Sequence, residues 1–377
     1  MKVTIIGTAY PFRGGIAVFI ERLARAFKSN NDEVTVSTFT LQYPKILFPG
    51  KTQLSSSDAP KDLTIIEEIN AINPFNWFKV GNRIKKTKPD IIIFKYWIPF
   101  MAPCFGTIAR RIKKNKHTKA IVIVDNIIPH EKRVGDNLLN NYFVKSVDGF
   151  IAMSQSVLSD LKTFDHQKPK LFSPHPLYDN FGEPKSRKEA LKALKLDDSF
   201  SYMLFFGIIR QYKGLDILLK AMADHRLNDR TKKLIIAGEF YEDDKMYMDI
   251  IEKYQLQDVV ILATQFIPDE EVVNYFCAAD IVVQPYKHAT QSGVTQIAYH
   301  FEKPMLVTDV GGLKEIVPHN KVGYVTQPNE KEVAEALIDF YTHHRAKEFT
   351  VGVKEEKQKY TWKKMVDSIY NVYQQIA

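Results

Sequence analysis

The sequence of 377 residues contains no stretch of about 18 uncharged apolar residues, so it offers no transmembrane helix. It has two cysteines, Cys104 and Cys277, far apart and without a second cysteine at metal-ligand spacing. That pattern argues against a structural zinc site and fits a reducing cytoplasm. No Asp-x-Asp pair occurs, so the usual carboxylate clamp for a divalent metal on a nucleotide diphosphate is missing, and no metal is expected. The fingerprint G-x-G-x-x-G is absent too, which disfavours a dinucleotide cofactor. The opening Met1–Gly7 segment is too short in its apolar run for a signal peptide and reads as a first strand. Internal repeats and low-complexity tracts are also missing.

The charge that is present is unevenly placed. Up to Leu177 there are 26 Lys and Arg against 14 Asp and Glu, a net of +12; the remainder has 26 against 30, a net of −4. Basic clusters stand at Arg83–Lys88 and Arg110–Lys119, close in sequence to Trp77, Phe78, Trp97, Ile98, Pro99, Phe100 and Met101. Solvated helix ends are the plain reading. An anionic membrane surface is the sharper one, because aromatics beside cations suit a membrane interface. Nucleic acid is not expected, since no binding motif accompanies the charge.

Short Ile- and Val-rich runs recur at Val3–Ile6, Val34–Thr38, Ile91–Phe94, Ala120–Val124 and Gly149–Met153, and again at Tyr202–Phe206, Lys233–Ala237, Val259–Leu262, Ile281–Gln284 and Met305–Thr308. Most are apolar throughout and so predict strands covered on both faces of a parallel sheet. Between them the period changes to that of helices: Phe19, Ile20, Leu23 and Phe27 share one face, as do Leu215, Leu218, Leu219 and Met222. The expected fold is therefore α/β, with two doubly wound Rossmann-like domains facing across a cleft. The expected boundaries are a first domain at 1–172, a proline-rich linker at 173–184 and a second domain at 185–360. A terminal amphipathic helix at 361–377 is expected to pack back on the first domain.

Ligands of open α/β sheets bind beyond the carboxyl ends of the strands, so the loops there carry the chemistry. After the strand ending at Phe206 comes Gly207-Ile208-Ile209-Arg210-Gln211-Tyr212-Lys213-Gly214, with two cations three residues apart. Arg210 and Lys213 suit diphosphate oxygens. Ser292, Gly293 and Val294 open a helix whose backbone N–H groups suit the same anion. Gly14 and Gly15 let backbone approach a ligand closely. Asp125 opens the loop that also holds His130 beside Glu131, and His130 is the best acid/base candidate among the histidines. The acidic run Glu242-Asp243-Asp244 reads as a solvated loop.

The glycine loop at Gly14-Gly15, the spaced Gly207…Lys213-Gly214, the pair Gly238-Glu239 and the tail Lys303-Pro304…Asp309-x-Gly311-Gly312…Glu315 occur in the order of glycosyltransferase family 4. The chain resembles that family, whose members are retaining enzymes of the GT-B fold, from end to end. Three departures stand out. Ile208 occupies the position where the family places an arginine, and Arg210 takes that role two residues later. The family's two glutamates fall on Ala289 and Ile297, leaving Gln291 and Gln296 as polar substitutes beside Glu239 for the nucleotide and sugar. The family's histidine aligns with Asp125, five residues before His130.

The resemblance implies transfer of a sugar from a nucleotide-sugar donor to an acceptor hydroxyl with anomeric retention, in cell-surface polysaccharide or glycolipid synthesis. The donor is a substrate, so no cofactor is expected. The acceptor would be a saccharide or a lipid-linked saccharide, and the expected location is the cytoplasm or its membrane face. The alternatives are a nucleotide-sugar epimerase on the same fold and a non-catalytic nucleotide-sugar-binding protein.

Overall fold

Val3–Ile6 and Ile91–Phe94 are buried at every position, Thr4 being the one polar residue among them, because both faces of each are covered, and they lie side by side as parallel strands with Ile5 opposite Ile93. The computed structural model describes residues 1–44, 54–55, 58–128, 133–228, 230–289 and 292–377. They form two units, Met1–His175 with Trp362–Ala377, and Pro176–Thr361. The division at His175 falls inside the proline-rich 173–184 segment.

The first unit runs β1 (Lys2–Ile6), α1 (Gly15–Ser29), β2 (Glu33–Leu41), β3 (Ile65–Asn70), α2 (Pro74–Thr87) and β4 (Ile91–Tyr96). It continues with α3 (Ala102–Lys113), β5 (Lys119–Val124), α4 (Asp136–Val144), β6 (Gly149–Ala152), α5 (Gln155–Phe164) and β7 (Lys170–Phe172). Among the described residues the strand order is β3-β2-β1-β4-β5-β6-β7, all parallel.

The second unit runs α6 (Arg187–Ala193), β8 (Ser201–Phe206), α7 (Leu215–Ala221), β9 (Lys232–Ala237), α8 (Lys245–Lys253), β10 (Val260–Ala263) and α9 (Asp269–Ala278). Then come β11 (Ile281–Gln284), α10 (Gly293–His300), β12 (Met305–Thr308), α11 (Leu313–Ile316), β13 (Gly323–Thr326), α12 (Glu330–Thr342) and α13 (Ala346–Lys357). Its parallel sheet has the order β10-β9-β8-β11-β12-β13 among the described residues. Both units are doubly wound, Rossmann-like α/β.

The last helix, α14 (Trp362–Ile376), joins the first unit. Its buried stripe of Trp362, Met365, Val366, Ile369 and Val372 packs with Phe19, Leu23 and Phe27 of α1 over one face of the first sheet. Helices α2, α3 and α4 cover the other face around Phe94, Phe105 and Phe143. Gly81 lets α2 approach α3 so closely that a Cβ there would sit 2.7 Å from Arg111 Cβ.

Most of the aromatics expected beside the basic clusters at the surface are elsewhere. Trp97 turns inward, donating its indole N–H to Tyr43 Oη at 2.7 Å and packing against Phe39 and Phe105. Trp77 donates to the Asn70 carbonyl at 2.8 Å. Pro99 and Met101 are buried, and Ile98 and Phe100 are half-buried against the same cluster. Phe78 alone of that set is exposed. The reason is covering: the short segment after β4 lies under α3, where large rings gain more from burial than from solvent.

Candidate functional site

In the second sheet the order reverses between β8 and β11, so the loops that follow these two strands diverge and leave a crevice at their carboxyl ends. The loop after β8 is held open by backbone. Ile209 N–H donates to the Glu239 carbonyl at 2.8 Å, and Tyr241 N–H donates to the Ile209 carbonyl at 3.1 Å. Gly214 then turns the chain into α7 with φ of 69°. A Cβ on it would stand 2.0 Å from the Pro285 carbonyl oxygen, so only glycine fits there. Lys287 N–H donates to the Tyr212 carbonyl at 2.7 Å, tying the loop after β11 to the loop after β8.

This stitching places Lys213. Its side chain is only 9% exposed, and its ammonium lies 5.8 Å from the Tyr286 ring centroid. Burial, with the neighbouring Arg210 charge adding to it, pushes Lys213 down to about 8. Among the described residues no carboxylate lies within ion-pair distance of it. The nearby Asp216 is engaged by Lys287 Nζ at 2.9 Å. Arg210 is exposed, with its guanidinium 5.3 Å from the Tyr241 ring centroid. The loop thus presents two cations without carboxylate partners among the described residues, one of them desolvated. Such an arrangement is unfavourable until an anion arrives.

The N-terminus of α10 approaches the same glycine. A Cβ on Gly207 would lie 3.3 Å from Lys213 Nζ and 3.7 Å from Val294 Cγ2. Ser292 caps the helix, its Oγ accepting from Val294 N–H at 3.2 Å and donating to Gln284 Oε1 at 2.6 Å. This corrects one expectation: the Val294 N–H is engaged by the Ser292 hydroxyl rather than waiting for phosphate. Gly293 packs on Tyr178, with the ring 3.0 Å from where its Cβ would be. Gln296 is buried in α10, and both of its amide atoms lack a partner among the described residues. Glu239 is half-buried after Gly238, its backbone engaged by Ile209. Gln291 and His130 lie outside the described residues. The acidic run Glu242-Asp243-Asp244 is exposed, with Glu242 Oε2 accepting from Gln211 N–H at 3.1 Å.

In the first unit Gly14 caps α1 with φ of 108°, and open space surrounds the position of its missing Cβ. Gly15 begins the helix. The order of this sheet reverses between β1 and β4. There the structure shows a pair that sequence reasoning missed. Lys95, buried at the end of β4, holds Asp125 Oδ1 at 2.5 Å, and its ammonium lies 3.9 Å from the Phe19 ring centroid. Burial lowers the Lys95 pKa against the opposing pull of Asp125. The signal was available: a lysine inside the apolar strand Ile-Ile-Ile-Phe-Lys-Tyr needs a counter-charge, and the next strand ends directly before an aspartate.

Comparison with known proteins fits this geometry. The pattern of Glycosyl transferases group 1 matches residues 186–359, and that of Glycosyltransferase Family 4 matches residues 13–172. An uncharacterized glycosyltransferase of Methanocaldococcus jannaschii is 23% identical over 388 aligned positions, covering 100% of this chain and 99% of its own. The O-antigen chain mannosyltransferase C of Escherichia coli is 25% identical, with 80% of each chain covered. Among solved structures, Anabaena HepE in complex with UDP shares the fold at a TM-score of 0.70 and 15% identity, covering 100% of this chain and 98% of its own.

Proposed function

The chain belongs to the GT-B glycosyltransferases, with a family 4 first half and a group 1 second half, and from that premise we propose that it transfers a hexose from a nucleotide-sugar donor to an acceptor hydroxyl with retention of anomeric configuration. The donor diphosphate lies against Lys213, Arg210 and the Ser292-Gly293 turn of α10. The observation that carries this reading is Lys213: a nearly buried ammonium at the switch point of the sheet, without a carboxylate partner among the described residues.

As the glycosidic bond to phosphate breaks, charge accumulates on the departing diphosphate. A cation already desolvated and fixed in place stabilises that charge more than one that must first shed water. Cations supplied by side chains make a divalent metal unnecessary. Departure and attack on the same face of the sugar, with the leaving phosphate assisting, would retain configuration. In this reading Glu239, Gln291 and Gln296 are assigned to the nucleotide and sugar, Gly14 and Gly15 to close backbone approach to a ligand, and His130 to the role of acid or base. The Escherichia coli relative's name, O-antigen chain mannosyltransferase C, supports placing the reaction in cell-surface polysaccharide or glycolipid synthesis; the location that goes with this proposal is the cytoplasmic side of the membrane.

The test is release of nucleoside diphosphate from a panel of nucleotide sugars, with and without saccharide and lipid-linked saccharide acceptors. Release that depends on acceptor, with sugar appearing on the acceptor, supports the reading. Interconversion of the donor sugar without release would replace it with an epimerase.

A further inference from the structure

The outer face of α2, α3 and α4 in the first unit carries large apolar side chains that stand exposed among the described residues. Phe75 is 87% exposed, Leu138 75% and Phe78 47%. Phe75 and Leu138 lie in the first turns of α2 and α4, the ends of those helices nearest the carboxyl ends of the strands they follow. Exposed rings of this size are unusual on a protein that stays wholly in water, where each forgoes the gain of burial.

Cations lie along the same helices, beside Phe78 and toward their C-terminal ends. Lys79 and Lys86 share the exposed face of α2 with Phe75 and Phe78, at helical spacing. At the C-terminal end of α3, Arg110, Arg111 and the capping residue Lys114 continue the band. Arg111 lies 5.6 Å from the Phe78 ring centroid, and Arg110 lies 3.9 Å from that of Tyr142 on α4. Helices α2 and α3 contain no Asp or Glu. Among the described residues no carboxylate comes within ion-pair distance of Lys79, Lys86, Arg110, Arg111 or Lys114. Apolar rings flanked by uncompensated cations match a surface that is apolar inside and anionic at its rim.

We propose that this face of α2, α3 and α4 docks the first unit onto an anionic lipid bilayer, with Phe75, Phe78 and Leu138 entering the headgroup region and the cations meeting lipid phosphates. Charge complementarity selects the occupant: a second copy would bring the same positive face, and like charges would repel. The inference deepens the proposed function by saying how a lipid-linked acceptor reaches the enzyme, but its evidence does not pass through Lys213. The two readings therefore fail separately, one in vesicle binding and the other in nucleotide binding.

The full chain is sedimented with phosphatidylcholine vesicles, with and without phosphatidylglycerol, across a salt series. Binding requires the anionic lipid and weakens as salt rises. The variant Lys86→Glu/Lys114→Glu lowers the partition coefficient roughly tenfold or more. Phe75→Ser/Leu138→Ser lowers it at low salt as well, where charge alone would keep the protein bound. All four positions are at the surface, and an unchanged melting temperature for each variant confirms folding. Equal partition onto neutral and anionic vesicles, or wild-type partition by both variants, overturns the proposal. So does dimerisation in solution that Phe75→Ser/Leu138→Ser abolishes while neither kind of vesicle is bound.

Discussion

Lys213 folds back over Gly207, so that a single added carbon on that glycine would sit 3.3 Å from the lysine ammonium. The loop after β8 is thus built around a cation it does not neutralise.

Removing that cation should be felt mainly in the transition state. Lys213→Ala and Arg210→Ala are each expected to lower turnover by about two orders of magnitude, the scale of losing one pre-placed charge contact. Steady-state kinetics with the identified donor decides it. Near-normal kcat/KM in both variants would remove the assignment.

The pH dependence has a definite sign. Free Lys213 titrates near 8, below the ordinary lysine value of 10.5. A bound diphosphate restores its proton, so nucleotide affinity is expected to be level below about pH 8 and to fall as pH rises above it. For stability the sign is opposite. Between about 8 and 10.5 the unfolded chain holds a proton that the folded chain has released, so this group's contribution rises with pH across that window. Lys213→Met should flatten both profiles. Calorimetry at pH 7 and pH 9 in buffers of different ionisation enthalpy reads the proton taken up.

Gly214 sets the register of the same loop. With φ of 69° and the Pro285 carbonyl 2.0 Å from any Cβ, Gly214→Ala is expected to destabilise the second unit by about 3 kcal/mol or more. Thermal unfolding should show the loss. An unchanged melting temperature would mean the loop relaxes freely and cannot pre-place Lys213.

The Lys95–Asp125 pair should behave as a coupled pair, with its lysine buried and its aspartate half-buried. Asp125→Ala strands the ammonium and is expected to cost about 3–5 kcal/mol, whereas Lys95→Met/Asp125→Ala should recover much of it. A double-mutant cycle by denaturant unfolding measures the coupling, and simple additivity would contradict it.

What the sequence revealed and what it hid follow one physical rule. Strands buried on both faces were legible as apolar runs. The three strands not anticipated are β3, β7 and β13, all at sheet edges. An edge strand such as Ile-Ile-Glu-Glu-Ile-Asn of β3 keeps polar residues because part of it stays wet. The cationic loop was legible because Gly, Lys and Gly bracket it. Lys95 was hidden because a lysine in a strand looks like an interruption until its partner, thirty positions on, is brought beside it. The inward turn of Trp77 and Trp97 was hidden for a related reason: aromatics beside lysines in sequence do not reveal which way each ring points.

The central claim is that the second unit holds a nucleoside diphosphate on Lys213. Its most direct test is isothermal titration of wild type and Lys213→Ala with UDP, GDP, ADP, CDP and dTDP in the presence of a metal chelator. The account predicts that at least one of them binds the wild type without metal and binds the variant roughly tenfold or more weakly, as expected for loss of a charge-assisted contact of 1.5–3 kcal/mol. Binding that is restored only by manganese or magnesium, or equal affinity for the variant, would contradict it.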